Sequence, residues 1–205
     1  MESLVLGFLT AGSLILAIGP QNLFVIEQGL KKKFIFTVTT ICAVSDILLI
    51  FLGVFIYQIF NTISAEFEFA LNIILIFFLI RFINEKIYEL KNFKAKKVKG
   101  SNNLKKVVLK TLGFTYLNPH VYSDTIFILG NLSKNFDQES KFFFALGASL
   151  SSIIFFYSLG YMSSIFANFV KNKNTWKYIN IFIISFMSGL VTYIVYSAYL
   201  SIFNL

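Results

Sequence analysis

The chain has 205 residues, a length that would suit one soluble domain, yet 57% of them are hydrophobic and only 14% are charged. With a mean hydropathy of +0.74, that balance excludes an ordinary soluble enzyme or binding domain and points to a chain that mostly faces lipid. The net charge of +8 would suggest a nucleic-acid partner in a soluble protein. Here it rests on lysines that flank apolar stretches, where charge reports membrane orientation, and no nucleic acid is expected.

Apolar stretches of roughly 20 residues, enough to cross ~30 Å of hydrocarbon as helix, recur along the sequence and predict six transmembrane helices. Helix 1 is expected from Ser3 to Ile26. It lacks a basic leader and a small-residue cleavage site, so it reads as a retained helix and not as a removed signal. Helix 2 follows from Phe34 to Tyr57, and helix 3 from Ser64 to Ile83. Helix 3 opens with Glu66 and Glu68 and ends near Arg81, charges able to snorkel to the two interfaces. Residues 84–106, rich in Lys and Asn, read as a basic cytoplasmic linker between residues 1–83 and 107–205, with no chemistry of its own. Helix 4 is expected from Val107 to Leu132, helix 5 from Phe142 to Val170 and helix 6 from Tyr178 to Phe203, where Trp176 and Tyr178 read as interfacial anchors.

Six crossings place Lys31, Lys32, Lys33, the ten cations from Arg81 to Lys110, and Lys171, Lys173 and Lys177 on one face, sixteen in all, against Lys134 and Lys141 on the other. The basic face is therefore expected to be cytoplasmic, with both termini outside. Three crossings per half is an odd number, so two halves of shared fold would be inverted relative to each other, an arrangement common in secondary transporters. The expected fold is an all-α integral membrane protein of two inverted three-helix repeats.

The chain's two prolines, Pro20 and Pro119, lie well inside helices 1 and 4. Proline removes a backbone donor and clashes with the preceding turn, so Gly19-Pro20 and Asn118-Pro119 are expected to interrupt both helices. Each break can start a half-helix at membrane depth, with Gly19 or Asn118 as N-cap and a positive dipole end that favours an anion such as a carboxylate. Gln21 and Asn22 add side-chain donors and acceptors at the first break. A packing kink is the alternative reading of each.

Asp46 falls near the middle of helix 2, where a carboxylate costs ~2.5–3.5 kcal/mol, so it must face protein. Thr39, Cys42, Asp46 and Gly53 share one helix face, with Ser45 adjacent, and this small, polar stripe can line a cavity. Asp124 in helix 4 is the second intramembrane acid, and His120, four residues earlier, shares its face and could share a proton. Cys42 is the only cysteine and reads as a packing residue. It excludes an intramolecular disulfide and a cysteine metal cluster, and neither metal nor cofactor is expected. Gly147, Ala148, Ser151 and Ser152 in helix 5, and Gly7 and Ala11 in helix 1, are spaced for close helix contacts.

Ala17-Ile-Gly-Pro-Gln-Asn22, Glu27-Gln-Gly-Leu-Lys-Lys32 and Ser45-Asp46, followed by Tyr116-Leu-Asn-Pro-His-Val-Tyr-Ser-Asp124, the Gly-Ala-Ser-Leu-Ser-Ser helix and Trp176-Lys-Tyr-Ile-Asn180, resemble the bacterial LysE/ArgO family of lysine/arginine exporters. The likeness covers nearly the whole chain; Tyr116 stands where that family usually has Trp. It implies efflux of cytoplasmic L-lysine or L-arginine coupled to the proton-motive force, and His120 after Asn-Pro looks more like the arginine branch. On this reading the substrate site comprises Gly19, Pro20, Gln21, Asn22, Asp46, Asn118, Pro119 and Asp124, with Asp46, Asp124 and His120 available for proton coupling. The partners are L-arginine, L-lysine, protons and the inner-membrane bilayer, with self-association left open. Export of neutral amino acids or another small cation on the same fold is the alternative. One histidine and one cysteine argue against an intramembrane enzyme, and a scaffold would need neither buried acid.

Overall fold

The computed structural model describes residues 2–16, 19–60, 65–91, 103–167 and 173–203, and every regular element among them is helical. In chain order they are α1 (Glu2–Ile15), α2 (Pro20–Lys31), α3 (Ile35–Phe60), α4 (Ala65–Lys91), α5 (Leu104–Tyr116), α6 (Pro119–Tyr122), a π-helical segment (Ser123–Ile128), α7 (Leu129–Ser133), α8 (Gln138–Ile165) and α9 (Lys173–Phe203). By length and apolarity, three of the described helices can cross a membrane, within α3, α8 and α9, and α1 with α2 makes a fourth if that bent pair is one span. The other two stretches expected to cross differ from simple apolar helices. The stretch expected as helix 3 lies in α4, which holds Arg81 and runs on into a charged extension, and the stretch from α5 to α7 is divided into pieces each too short to cross alone.

Helix α8 is the spine, packing along α1, α2 and α3. It can do so because small residues let backbones approach. A Cβ on Gly147 would fall 1.9 Å from the Leu4 carbonyl oxygen, and one on Gly7 would fall 2.1 Å from that of Phe144, so α1 and α8 touch backbone to backbone. A second such contact, between Gly29 and the Gly160 carbonyl, seats α2 on the same helix. Both pieces of the first broken helix thus rest on α8.

Helix α3 is two-sided. Val44, Leu48, Leu52 and Phe55 form an exposed apolar stripe, while Thr39, Cys42, Ser45, Asp46 and Gly53 are buried on the protein side, as the sequence spacing predicts. α4 and α9 pack on each other at the periphery. Phe24, Phe78, Phe82 and Phe114 join α2, α4 and α5, with Phe114 ring centroids 4.8–5.0 Å from those of Phe78, Phe82 and Phe24.

The expected linker is shorter than residues 84–106. α4 continues through residues 84–91, which hold no Gly or Pro to stop it, and α5 starts at Leu104, capped by the Asn103 side chain. Two neighbouring residues on this extension find partners on other helices. The Lys86 ammonium, 1% exposed, donates to Glu27 of α2, which also receives Lys31. Glu85 accepts from Lys110 of α5 at 2.6 Å and lies 3.1 Å from Lys106. Lys86 and Lys110 each hold their ammonium 5.3 Å from the Phe82 ring centre. Lys86 is therefore a packing residue as well as a flanking cation. Partial burial would raise the Glu85 carboxyl, but Lys110 and Lys106 outweigh it and hold it below the ordinary carboxylate range. That tie is complete above the ordinary range and is lost as pH falls through the lowered value.

The side chains of Glu66, Glu68 and Trp176, and residues 17–18, 92–102 and 168–172, lie outside the described ones. Tyr178 is exposed, in keeping with an anchor.

Gly147→Ala is expected to destabilise the fold by about 1–3 kcal/mol. Gly189→Ala, whose added carbon meets nothing within 4 Å, should be neutral or stabilising. Thermal melts of the two variants in detergent check this, and equal melting would remove the α1–α8 contact from the account.

Candidate functional site

The two helix breaks face one cavity. α1 ends at Ile15, and α2 begins at Pro20 with Gly19 extended before it as N-cap, its axis turned by 80° from that of α1. α5 ends at Tyr116, and α6 begins at Pro119. Each break frees carbonyls that hydrocarbon cannot satisfy, and each is bridged by a side chain from just beyond it. Asn22 Nδ2 donates to the Ile15 carbonyl at 3.1 Å, and the Tyr122 hydroxyl donates to the Tyr116 carbonyl at 2.7 Å.

The breaks differ at their N-terminal ends. Asn118 Oδ1 accepts from the His120 N–H at 3.2 Å, so the second break caps itself, and the α-helix beyond it lasts four residues. At the first break Gly19 has no side chain to cap α2. Gln21 is 5% exposed, and its Nε2 makes no hydrogen bond of normal geometry, the Cys42 thiol being its neighbour. The first break thus leaves α2 without a side-chain cap and Gln21 Nε2 without a hydrogen bond of normal geometry, whereas Asn118 caps the second.

The cavity encloses about 340 Å³, within the ~300–1,000 Å³ usual for small-molecule sites. It is lined by Gly19, Pro20, Gln21 and Asn22, by Asp46, and by Asn118, His120 and Asp124. Every residue of the expected substrate site is on that wall except Pro119, whose side chain lies outside the described ones, whereas of the polar stripe expected on α3 to line a cavity only Asp46 reaches it. Ser13, Leu14, Ile15, Val121, Thr125, Phe156 and Leu190 complete the lining.

Asp46 is 3% exposed and accepts from the Ser152 hydroxyl of α8 at 3.0 Å. Asp124 stands on the π-helical segment, whose wider turn the sequence did not announce. Such segments interrupt α-helices frequently at functional sites. This one is pressed against α3 at Gly53, where a Cβ would fall 2.4 Å from the Thr125 carbonyl oxygen. Gly53 thus brings the segment carrying Asp124 against the helix carrying Asp46. Cys42 is fully buried and outside the cavity lining.

Phe156 and Leu190 were not foreseen as walls, nor Ser152 as a partner of Asp46. An apolar helix carries no mark of which face meets a site. The arrangement joins the polar side chains of Gln21, Asn22 and Asn118 to two carboxylates, a histidine and the apolar Phe156 and Leu190 in one cavity, a mixture that suits a small polar solute with a cationic group.

A sequence profile for the LysE type translocator matches residues 12–198. The chain is 30% identical over 196 residues to the arginine exporter protein ArgO of Pectobacterium atrosepticum, covering 90% of this chain and 92% of that one. It is 32% identical over 179 residues to ArgO of Serratia proteamaculans, covering 85% and 86%. The lysine exporter LysE of Corynebacterium diphtheriae is 28% identical over 212 residues, covering 88% and 93%. No solved structure matches the chain.

Cys42 offers a native reporter of this packing. A permeant maleimide should label the folded protein at less than about a tenth of the denatured rate, and Gly53→Leu, which forces α3 off the π-helical segment, should speed labelling several-fold. Rapid labelling of the unaltered protein would contradict the burial of α3.

Proposed function

The chain belongs to the family of LysE type translocators, and on that premise we propose that it is a secondary transporter of the bacterial inner membrane that exports L-arginine and/or L-lysine in exchange for protons. The observation that carries this reading is the cavity in which both helix breaks, both intramembrane acids and His120 meet. Relatives named as arginine and lysine exporters support the choice of a basic amino acid.

In this reading the substrate carboxylate takes donors at Gln21 and the start of α2, while Asp46 and Asp124 meet its cationic groups. Gly19, Pro20 and Asn22 shape and hold the first break, and Asn118 and Pro119 the second. The fold is read as six crossings in two inverted halves that rock around this cavity. The Lys-rich ends of α2, α4 and α5 face the cytoplasm, and both termini face outward.

Exporting one cation against an inside-negative potential costs ~2.3 kcal/mol per 100 mV, whereas exchange for one proton carries no net charge. A carboxylate that binds either the proton or the substrate cation couples the two fluxes. Asp46 is the better placed, being enclosed, and Asp124 with His120 forms a route by which its proton can arrive or leave.

The test is efflux of labelled arginine and lysine from preloaded cells with and without the protein. Asp46→Asn should reach the membrane in normal amount and lose pH-dependent export by at least about tenfold. Normal, pH-responsive export by that variant would refute the role of Asp46. Competition by unlabelled neutral amino acids, if as strong as by arginine, would move the assignment to a neutral substrate.

A further inference from the structure

A serine in an apolar helix ordinarily returns its hydroxyl to a carbonyl three or four residues back, as Ser13, Ser133, Ser163 and Ser164 do. Ser152 does otherwise. Fully buried on α8, it sends its hydroxyl across to Asp46 Oδ2 on α3, 106 residues away in sequence. Ser149, one turn earlier and also buried, has an Oγ with no partner, so nothing about the helix compels a serine to bond outward. Asp46 lines the cavity and Ser152 does not, so the bond reaches the carboxylate from outside the space a substrate would fill.

We infer that Ser152 is a positioning residue for Asp46, fixing the carboxylate so that it is presented to the cavity and setting the pH at which it exchanges a proton for the substrate cation. The inference rests on the reading of Asp46 given above. A hydroxyl donated to a carboxylate favours the ionised form, which is the form that binds a cation. The titratable groups that face Asp46 are Asp124 on the π-helical segment and His120 on α6, both on the cavity wall, and Cys42 one turn away on its own helix. α2 contributes the uncharged Gln21 and Asn22 at this level, and α5 contributes Thr115 beside Cys42. None of these groups is altered by removing the serine hydroxyl.

The experiment is arginine efflux from proteoliposomes holding the full chain, with pH set equal on both sides and stepped through the range in which efflux rises. Loss of a hydrogen bond to a charged group removes at least ~1.5 kcal/mol, which converts to a rise of about one pH unit in the efflux midpoint of Ser152→Ala. Above the new midpoint its rate should return to within about twofold of the unaltered protein, a recovery that general misfolding would not allow. Ser152→Thr, which keeps the hydroxyl, should keep the original midpoint. Asp46→Asn combined with Ser152→Ala should behave as Asp46→Asn alone. If Ser152→Ala does not insert, the near-isosteric Ser152→Cys, a weak donor, carries the same expected shift. An unmoved midpoint in the inserted variant, or a loss of rate equal at every pH, overturns the inference. Retention of the full pH profile by Asp46→Asn instead overturns the underlying reading of Asp46, and the two failures are thereby told apart.

Discussion

A carboxylate at the depth of a bilayer is unfavourable by ~2.5–3.5 kcal/mol even after its surroundings adapt, and Asp46 sits on a helix whose opposite face, Val44, Leu48, Leu52 and Phe55, is exposed to lipid. The acid can exist there only if other helices enclose it. α8 does so by presenting Ser152 to the carboxylate while its glycines bring α1 and α2 close along the same helix. A wider separation would admit lipid, so the backbone contacts and the buried acid are one constraint seen from two sides.

The same rule governs the broken helices. Asn22 and Tyr122 return hydrogen bonds to the carbonyls freed at Ile15 and Tyr116, so one freed carbonyl at each break is satisfied within the protein. What each then leaves over is different. The first leaves α2 without a side-chain cap, and the second, capped by Asn118, is followed by the π-helical segment that turns Asp124 to the cavity. The cavity therefore joins amide side chains to two carboxylates, a combination that supports the proposal of a zwitterionic substrate. Beyond the cavity, Glu85 and Lys86, neighbours on α4, tie α5 and α2 by ion pairs, so the two helices that border the breaks are braced against a common element.

Much of this was legible in the residues. Proline at mid-helix marked both breaks because its ring and missing N–H act locally, and the stripe from Thr39 to Gly53 marked the protein side of α3 because helix period is local too. The site residues Gly19, Gln21, Asn22, Asp46, Asn118, His120 and Asp124 all reach the cavity. Long-range pairings were not legible. Ser152 read as a packing residue because its partner lies 106 positions away, and Lys86 read as a loop cation because Glu27 lies 59 positions away. The π-helical turn left no sign, since Ser123–Ile128 is compatible with an α-helix. The expected end of helix 3 at Ile83 followed the drop in hydropathy, whereas α4 continues to Lys91 because its charges find partners.

The proposed role of the cavity is to exchange a basic amino acid for a proton. It is tested most directly in proteoliposomes loaded with arginine and a pH-sensitive dye, diluted into arginine-free buffer at equal pH. The account predicts that arginine leaves while the lumen acidifies, and that both changes vanish together in Asp46→Asn. Arginine efflux with no change in lumenal pH, or acidification that does not depend on arginine, would contradict it.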